Sequence, residues 1–389
     1  MKPSNRLSLI PPYLFAELER KIAEKKAAGI DVISLGIGDP DHPTPANVVA
    51  AMQAAVANPD THKYPSNRGR KEFRDAIAGF YARRFGVTLD AETEVLPAIG
   101  AKECIFNLNL AFLDPGDVAL ASDPGYPVYT GGPLITGGEP VLMPLLAERN
   151  FAPDLDAIPA DKLAKAKMMF INYPNNPTGA TVPDGFFAEV VEFARANDIL
   201  VVHDASYTET AYDGYRPPSF LETPGAKEVG VEVFSLSKGY QMTGWRVAAI
   251  VGNADALKAY WQLKTNVDSG LFDAVQLAAV EALSPTTDAA VAAMNSVYQR
   301  RRDLVCDALA EIGVEVQRPK ATIYVWAPVP AGFESAAAYC AHVLEESAVV
   351  ISPGGAYGAS GEGFFRISLT TPDDRLAEAV ERLRKTLAA

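Results

Sequence analysis

Short apolar runs rich in β-branched residues alternate along this chain with longer amphipathic stretches. This alternation is typical of a mostly parallel β-sheet covered by helices, because a strand that is buried on both faces has no polar side. At 389 residues, of which 48% are hydrophobic, the chain can bury a large core and exceeds the usual size of one domain. We therefore predict an α/β fold with two domains.

Five apolar runs predict strands in the first two thirds of the chain, at 118–122, 168–173, 199–204, 232–236 and 247–251. Polar residues stand at or just beyond the ends of several of these runs: Asp123, Asn175, Asn176, Asp204 and Lys238. In open α/β sheets, ligands bind beyond the carboxyl ends of the strands. The sequence therefore predicts a ligand site that is built from these residues.

The pattern changes near residue 286. A long helical stretch is followed by short runs that predict strands, at 314–317, 322–327, 348–352 and 364–369. Residues 13–28 are amphipathic and predict a helix. We expect an N-terminal arm and part of a small domain in residues 1–45, a large domain with the ligand site in 46–285, and a small C-terminal α+β domain in 286–389.

Composition disfavours several classes of partner. Acidic residues outnumber basic ones by 48 to 35, and the net charge of −13 opposes binding to the phosphate backbone of nucleic acids. The N-terminus shows no apolar export segment, and no run approaches the roughly 18 apolar residues of a membrane span. Three isolated cysteines and four scattered histidines indicate neither a disulfide framework nor a metal site. We expect a cytoplasmic protein with no nucleic-acid or membrane partner.

The segment from Ser235 to Arg246 places Lys238 directly after an apolar run and beside small hydroxyl residues. A lysine in this setting can form a Schiff base with pyridoxal phosphate, while Ser235, Ser237 and Arg246 supply hydrogen-bond donors and positive charge for the phosphate. A lysine after a strand is more often a solvated surface residue. This segment alone leaves both interpretations open.

Asp204 stands at the end of an apolar strand, where an unpaired carboxylate is costly to bury. A protonated pyridine nitrogen would be a suitable partner, because the ion pair keeps the ring electron-withdrawing. Tyr207, and Asn176 in the turn-rich segment 172–179, could reach the hydroxyl of the same ring. The alternatives are a helix N-cap for Asp204 and a surface turn around Asn176.

Three further features suit a phosphorylated, flat ligand and a carboxylate substrate. The tripeptide Gly100-Ala101-Lys102 precedes an apolar stretch and predicts a helix start, whose free amide groups bind phosphate. Tyr126 follows a strand end and could stack on a flat ring, and Arg366 lies in an apolar run and suits a carboxylate. The alternatives are a helix start without a ligand, core packing and an intramolecular ion pair. The glycine patterns of P-loop and Rossmann folds are absent from the sequence.

Together these residues resemble the class I and II aminotransferases of pyridoxal-phosphate fold type I. The order of the family's functional positions is matched over essentially the whole chain, at Tyr64, Gly100-Ala101-Lys102, Tyr126, Asn176, Asp204, Tyr207, Ser235, Ser237, Lys238, Arg246 and Arg366. The resemblance implies a large domain with a mostly parallel seven-stranded sheet flanked by helices, a smaller α+β domain, and pyridoxal 5'-phosphate as cofactor. It also implies a homodimer with shared active sites that acts on amino acids and 2-oxo acids.

The resemblance implies a role for each matched residue. Lys238 would be the Schiff-base lysine and proton carrier, Asp204 the partner of the pyridine nitrogen, and Tyr207 with Asn176 the partners of the ring hydroxyl. Tyr126 would stack on the ring. The phosphate would be bound by Ala101, Lys102, Ser235, Ser237, Arg246 and, from the second subunit, Tyr64. The substrate's α-carboxylate would be bound by Arg366, with Asn176 and the backbone near Gly38.

Within this family, the stretches 11–17, 35–41 and 264–272 are most similar to the LL-diaminopimelate aminotransferases. Tyr13 matches a substrate-side tyrosine of that group. Stretch 264–272 offers no arginine for a distal carboxylate, although Lys264 could act there as a point charge. The resemblance implies transfer of an amino group between LL-diaminopimelate and 2-oxoglutarate in lysine biosynthesis.

Other functions stay open at this point. A broad aminotransferase for alanine, aspartate, aromatic amino acids or N-succinyl-diaminopimelate would use the same catalytic residues. The same lysine and aspartate would also serve a C–S lyase, which releases pyruvate and ammonia. A noncatalytic regulator is disfavoured, because the sequence has no helix-turn-helix or basic extension and fills every chemical position.

Overall fold

The structure is a computed structural model, and it describes residues 1–10 and 16–387. Thirteen α-helices lie in this described part, and they are numbered in chain order: α1 Ala16–Ala27, α2 Ala46–Val56, α3 Lys71–Phe85, α4 Ala101–Phe112, α5 Val128–Thr136, α6 Ala160–Leu163, α7 Phe186–Asn197, α8 Ala226–Val229, α9 Ala254–Val267, α10 Asp273–Ala282, α11 Asp288–Glu311, α12 Ala336–Ser347 and α13 Asp373–Leu387.

The strands of the described residues are numbered in the same way: β1 Ile33–Ser34, β2 Val95–Ala98, β3 Val118–Asp123, β4 Glu139–Pro144, β5 Ala166–Asn172, β6 Leu200–Ala205, β7 Gly230–Ser235, β8 Ala248–Gly252, β9 Tyr324–Pro328, β10 Val349–Val350, β11 Ser352–Pro353 and β12 Phe364–Ser368. Seven of them form one sheet in the order β2-β8-β7-β6-β5-β3-β4. Only β8 runs against the others, since both of its pairings are antiparallel and the remaining pairings are parallel.

The central strands of this sheet are buried on both faces. Every residue of β3 and β7 is buried, and β5 and β6 each have a single residue that is not. Two apolar clusters enclose the sheet, one for each face, with contributions from α3, α7 and α10 on one side and α4 and α9 on the other. The predicted α/β class and the seven-stranded, mostly parallel sheet are confirmed.

The sequence pattern predicts the five central strands but neither edge strand. Both edges contain proline: Pro97 lies in β2, and Pro140 and Pro144 lie in β4. Proline lacks an amide donor, so a sheet tolerates it at an edge, where one side of the strand needs no partner. Proline also weakens the sequence signal for a strand, and the sequence pattern therefore did not predict β2 and β4.

The C-terminal part of the chain forms a smaller α+β group. Strands β11, β12 and β9 make an antiparallel sheet against α11, α12 and α13, and β1 pairs in parallel with β10. The prediction of a strand at 314–317 is wrong: Val314 is buried in the core of this group, but the segment has no strand partner. The other three runs predicted after residue 286 coincide with β9 to β12 within a few residues.

The N-terminal helix predicted for 13–28 is present as α1 from Ala16, while residues 11–15 lie outside the described part. The pairing of β1 with β10 joins residues 33–34 to the C-terminal group. The division into 1–45, 46–285 and 286–389 stays a prediction. Across the described residues, no helix is both long and apolar enough to cross a membrane.

Candidate active site

A cavity of about 240 Å³ opens at the carboxyl ends of β5, β6 and β7. Most of the predicted site residues line it, although they are spread along the sequence from Gly38 to Arg246. The lining consists of Gly38, Ala101, Lys102, Tyr126, Tyr129, Asn172, Asn176, Asp204, Ser206, Tyr207, Ser235, Ser237, Lys238, Thr243, Arg246 and Tyr324. The parallel arrangement explains this convergence, since the ends of neighbouring parallel strands meet at one edge of the sheet.

Asp204 lies at the bottom of the cavity, on the buried strand β6. Its carboxylate accepts hydrogen bonds from the Tyr129 hydroxyl at 2.8 Å and from the Ser206 hydroxyl at 2.5 Å. Burial raises the pKa of Asp204, although these two donors work in the opposite direction. Among the described residues, no cation forms a salt bridge with this carboxylate. The site therefore holds an anion ready for a cationic ligand atom.

Lys238 follows β7, the strand next to β6 in the sheet, and lines the same cavity as Asp204. Its ammonium group donates a hydrogen bond of 2.6 Å to the carbonyl oxygen of Gly38. Burial lowers the pKa of Lys238, because the interior disfavours the charged form. A lowered pKa makes the neutral, nucleophilic amine more accessible near neutral pH.

One end of the cavity is suited to a phosphate. Helix α4 begins at Ala101, and its free N-terminal amide groups and dipole favour an anion. Arg246 has a left-handed backbone conformation (φ 56°), and its guanidinium lies so close to Gly100 that a side chain at that glycine would collide with it. Ser235 and Ser237 add two hydroxyl groups at the end of β7. Donors and positive charge thus converge at this end.

The groups suited to a carboxylate lie beside the cavity, next to its lining residues Asn176 and Tyr324. Arg366 on β12 is buried, and it donates hydrogen bonds of 2.8 Å to Asn176 Oδ1 and to the carbonyl oxygen of Gly36. The Arg366 guanidinium carbon lies 3.9 Å from the centre of the Tyr324 ring and 4.6 Å from that of Tyr357. Arg366 is therefore held in place by the faces of two aromatic rings beside the cavity.

Two predicted residues lie elsewhere. Tyr64 is 89% exposed and does not line the cavity of its own chain. Tyr13 lies outside the described residues. The suggestion that Lys264 reads a distal carboxylate is wrong, because its side chain is fully buried and its ammonium group pairs with Asp268 at 2.5 Å.

The sequence analysis missed five residues of the lining: Tyr129, Asn172, Ser206, Thr243 and Tyr324. Asn172 links two of the predicted residues, since it donates a hydrogen bond of 2.7 Å to the Asp204 carbonyl and accepts one of 2.8 Å from the Asn176 amide. Its place at the end of β5 was a usable signal. Tyr324 comes from the C-terminal group, where no strand-end argument applies.

The chain matches the family described as "Aminotransferase class I and II" over residues 30–383. It belongs to this family. The enzyme is 55% identical over 384 residues to an LL-diaminopimelate aminotransferase from Desulforudis audaxviator, a match that covers 99% of this chain and 97% of that relative. It is 52% identical to an LL-diaminopimelate aminotransferase from Moorella thermoacetica, with 100% and 99% of the two chains covered.

Solved structures show the same architecture. The substrate-bound BacF structure from Bacillus subtilis superposes with a TM-score of 0.95 at 37% identity, covering 99% of this chain and 98% of that one. A probable N-succinyldiaminopimelate aminotransferase from Thermus thermophilus superposes with a TM-score of 0.89 at 33% identity, over 96% and 100% of the two chains. The enzyme is thus a fold type I aminotransferase.

Aminotransferases of this family depend on pyridoxal phosphate, and the cavity fits this cofactor. The buried Asp204 carboxylate suits a protonated ring nitrogen, the half-buried Lys238 amine suits an aldehyde, and the helix start with Arg246 suits a phosphate. The aromatic ring of Tyr126 lines the space between these groups, with the Lys102 ammonium 5.5 Å from its centre. The ring nitrogen, the aldehyde and the phosphate of the cofactor would therefore each have a protein group of suitable chemistry in the cavity.

Proposed function

We propose that this enzyme transfers an amino group between LL-diaminopimelate and 2-oxoglutarate, a step in lysine biosynthesis. The observation that carries this proposal is the 55% identity to an LL-diaminopimelate aminotransferase over 99% of the chain. Such a match spans the catalytic residues and also the segments that surround the substrate. The stretch 11–17, which holds Tyr13, lies within the matched length.

We propose that Lys238, Asp204 and Tyr207 are the catalytic residues. When bound, pyridoxal phosphate supplies an aldehyde for the amino group and a ring that accepts electrons from the substrate's α-carbon. Lys238 Nζ takes the proton from that carbon, and its lowered pKa suits a group that must both release and accept protons. Asp204 would keep the ring nitrogen of the bound cofactor protonated by forming an ion pair with it.

Asn176 and Tyr207 would bind the ring hydroxyl from two neighbouring strand ends. Burial raises the pKa of Tyr207 well above its ordinary value, so its hydroxyl keeps its proton and acts as a donor. Tyr126 would stack on the ring, and Ala101, Lys102, Ser235, Ser237 and Arg246 would bind the phosphate. All of these residues line the same cavity.

Arg366 would bind the substrate's α-carboxylate through both terminal nitrogens. In the structure these nitrogens are occupied by Asn176 and the Gly36 carbonyl, so a carboxylate would replace or share these contacts. Gly38 lines the cavity, and Tyr13 is proposed to bind the substrate as well. This arrangement orients the α-carbon toward Lys238.

We also propose a cytoplasmic homodimer whose subunits complete each other's sites. The support is the exposure of Tyr64. This residue is 89% exposed, whereas an aromatic side chain usually has much of its surface buried against other groups. As the subunit contact would bring a second chain to this face, Tyr64 would reach the phosphate of the neighbouring subunit.

A second candidate is an aminotransferase of broader specificity. Solved relatives at 30% identity or slightly more include an aromatic aminotransferase from Pyrococcus horikoshii. The catalytic residues are shared between such enzymes, so they do not separate the two candidates.

A half-reaction screen tests the proposal. Purified holoenzyme is mixed in a stopped-flow instrument with LL-diaminopimelate, and the loss of the lysine-bound cofactor band is followed. L-lysine is the matched control, because it has the same chain without the distal carboxylate, and meso-diaminopimelate controls for the distal stereocentre. Aspartate, alanine, tyrosine and cystathionine complete the set.

We expect kcat/KM for LL-diaminopimelate to exceed that for L-lysine by about one to two orders of magnitude, since a buried carboxylate contact is worth about 1.5–3 kcal/mol. Comparable rates with alanine, aspartate or tyrosine would contradict the substrate proposal and favour the broad enzyme. Pyruvate and ammonia released from cystathionine would instead indicate a C–S lyase.

A further inference from the structure

The phenol of Tyr324 lies between the two halves of the active site. Tyr324 is the first residue of β9 in the C-terminal group, and only 4% of it is exposed. Its strand pairs with β12, where Tyr324 stands opposite Ser368, two residues from Arg366. Residues two apart on a strand share a face. Tyr324 and Arg366 therefore project from one side of the small sheet toward the cavity.

The ring and the hydroxyl of Tyr324 make different contacts. The ring supports the Arg366 guanidinium, whose carbon lies 3.9 Å from the ring centre. The hydroxyl oxygen accepts a hydrogen bond of 3.2 Å from the hydroxyl of Tyr207, which comes from the large sheet. One side chain thus contacts the substrate arginine and the tyrosine proposed to bind the cofactor's ring hydroxyl.

A third contact joins Tyr324 to the reactive lysine. Its hydroxyl lies against the α-carbon of Gly38, where any side chain would collide with it. The carbonyl of the same glycine accepts the hydrogen bond from Lys238. A glycine at position 38 therefore leaves room for the phenol beside the residue that accepts the hydrogen bond from Lys238.

We propose that Tyr324 is a positioning residue that couples the carboxylate site at Arg366 to the hydrogen bonding of Tyr207. The inference rests on the roles proposed above for these two residues. The ring fixes the guanidinium plane through a cation–π contact. The hydroxyl oxygen of Tyr324 accepts a hydrogen bond from Tyr207. It therefore competes with the cofactor's ring oxygen for the single proton that Tyr207 can donate.

The two phenols of this pair differ in the charges that surround them. Burial alone would raise the pKa of Tyr324, but Arg366 and Lys238 outweigh it and lower the pKa. Burial raises the pKa of Tyr207 instead. The hydrogen bond itself gives the direction within the pair, because the Tyr207 hydroxyl donates and the Tyr324 oxygen accepts.

The variant Tyr324→Phe separates the two contacts, because it keeps the ring and removes the hydroxyl. The cofactor bound to Lys238 changes its absorbance when the nitrogen that joins them gains a proton, so a pH titration of the holoenzyme gives a midpoint. Without its acceptor, Tyr207 donates fully to the ring oxygen, which makes that nitrogen less basic. We expect the midpoint to fall by about half a unit to one unit, the equivalent of one neutral hydrogen bond.

Tyr357→Phe is the matched control. The Tyr357 ring also lies on the Arg366 guanidinium, at 4.6 Å, but its hydroxyl interacts with Ser352 instead of Tyr207. Loss of this hydroxyl should leave the spectral midpoint unchanged. An equal fall in both variants would overturn the proposal, as would an unchanged or raised midpoint in Tyr324→Phe.

Tyr324→Leu removes ring and hydroxyl together. We expect KM for the amino-acid donor to rise about twofold to thirtyfold relative to Tyr324→Phe, the range of one cation–π contact. Equal KM values in these two variants would refute the role of the ring. The spectral titration needs no substrate, and KM is measured with whichever amino acid the wild type converts. Failure of the diaminopimelate proposal therefore leaves both readouts intact.

Discussion

The active site has two parts that differ in how the chain builds them. The cofactor floor consists of Asn176, Asp204, Ser235, Ser237 and Lys238, which all lie at or just beyond the carboxyl ends of three adjacent parallel strands. The substrate rim consists of Gly38, Tyr324 and Arg366, which come from an irregular segment and two strands of the small sheet. The floor depends on the topology of one sheet, whereas the rim depends on how two groups of elements pack together.

The two parts also differ in electrostatics. The cofactor floor holds an anion and a cation, Asp204 and Lys238, and burial shifts the pKa of each toward its neutral form. The substrate rim holds a cation, Arg366, supported by aromatic faces. A fault in the floor should thus remove the chemistry itself, while a fault in the rim should weaken substrate binding and leave the chemistry in place.

The largest expected effect is that of Lys238→Ala. This change removes the amine that we assign to attachment of the cofactor and to proton transfer, and we expect kcat to fall by about 10⁴-fold or more. The matched control is Lys258→Ala on α9, an exposed lysine, which should keep full activity. Steady-state rates of both variants provide the test. A Lys238→Ala enzyme that kept more than about a tenth of normal activity would contradict the role of Lys238 in cofactor attachment and proton transfer.

Asp204→Asn should cost about 10²- to 10⁴-fold in kcat, since an amide of the same shape cannot hold the ring nitrogen protonated. The exposed Asp198→Asn is the control for the chemical change. A kcat within a factor of five of the wild type would show that no ion pair operates at this position.

The same variant should stabilise the cofactor-free protein at neutral pH. Because the pKa of Asp204 is raised on folding, the stability that it contributes is present below its unfolded value near 3.8 and is lost as pH rises through the folded value. Asparagine does not titrate, so the Tm of the apo variant should exceed that of the wild type by an amount that grows from pH 4 upward and then levels. A Tm difference independent of pH would contradict the raised pKa.

Arg366→Lys tests the substrate rim. Lysine keeps the charge but loses the two parallel donors and the flat face that packs on Tyr324. We expect kcat/KM for amino acids to fall about tenfold to a hundredfold, mostly through KM, with the absorbance of the bound cofactor unchanged. A fall confined to kcat would place Arg366 in the chemistry instead of in binding.

Tyr64→Phe should have the smallest effect of these changes. Loss of one hydrogen bond to the phosphate should weaken cofactor binding about threefold to tenfold, and only in a dimer. Titration of the apoenzyme with pyridoxal phosphate, together with light scattering, measures both quantities. A monomeric enzyme with full cofactor affinity would refute the shared site.

The sequence predicts the cofactor floor well because each of its residues stands at or shortly after the end of an apolar run. Asp204 and Lys238 could be placed at one edge of the sheet from strand order alone, without any side-chain geometry. Tyr129 was missed although it follows Tyr126 by three residues, since its hydrogen bond to Asp204 depends on where α5 packs. Local pattern thus identifies the elements but not all of their contacts.

The substrate rim shows where sequence reasoning fails. Arg366 was found because an arginine within an apolar strand requires a partner, but nothing near Tyr324 signals that it contacts Arg366 and Tyr207. These contacts follow from the register of β9 with β12 and from the packing of the small sheet on the large one. Edge strands β2 and β4 were missed for a different reason, the prolines that an edge tolerates.

The most direct test of the account is to find which lysine holds the cofactor. Two of the described lysines line the cavity, the half-buried Lys238 and the exposed Lys102. Reduction of the holoenzyme with borohydride fixes the cofactor to its lysine, and peptide mass spectrometry then locates the added mass. The account predicts the modification on the peptide that contains Lys238 and none on Lys102. Modification at Lys102, or no covalent attachment at all, would contradict it.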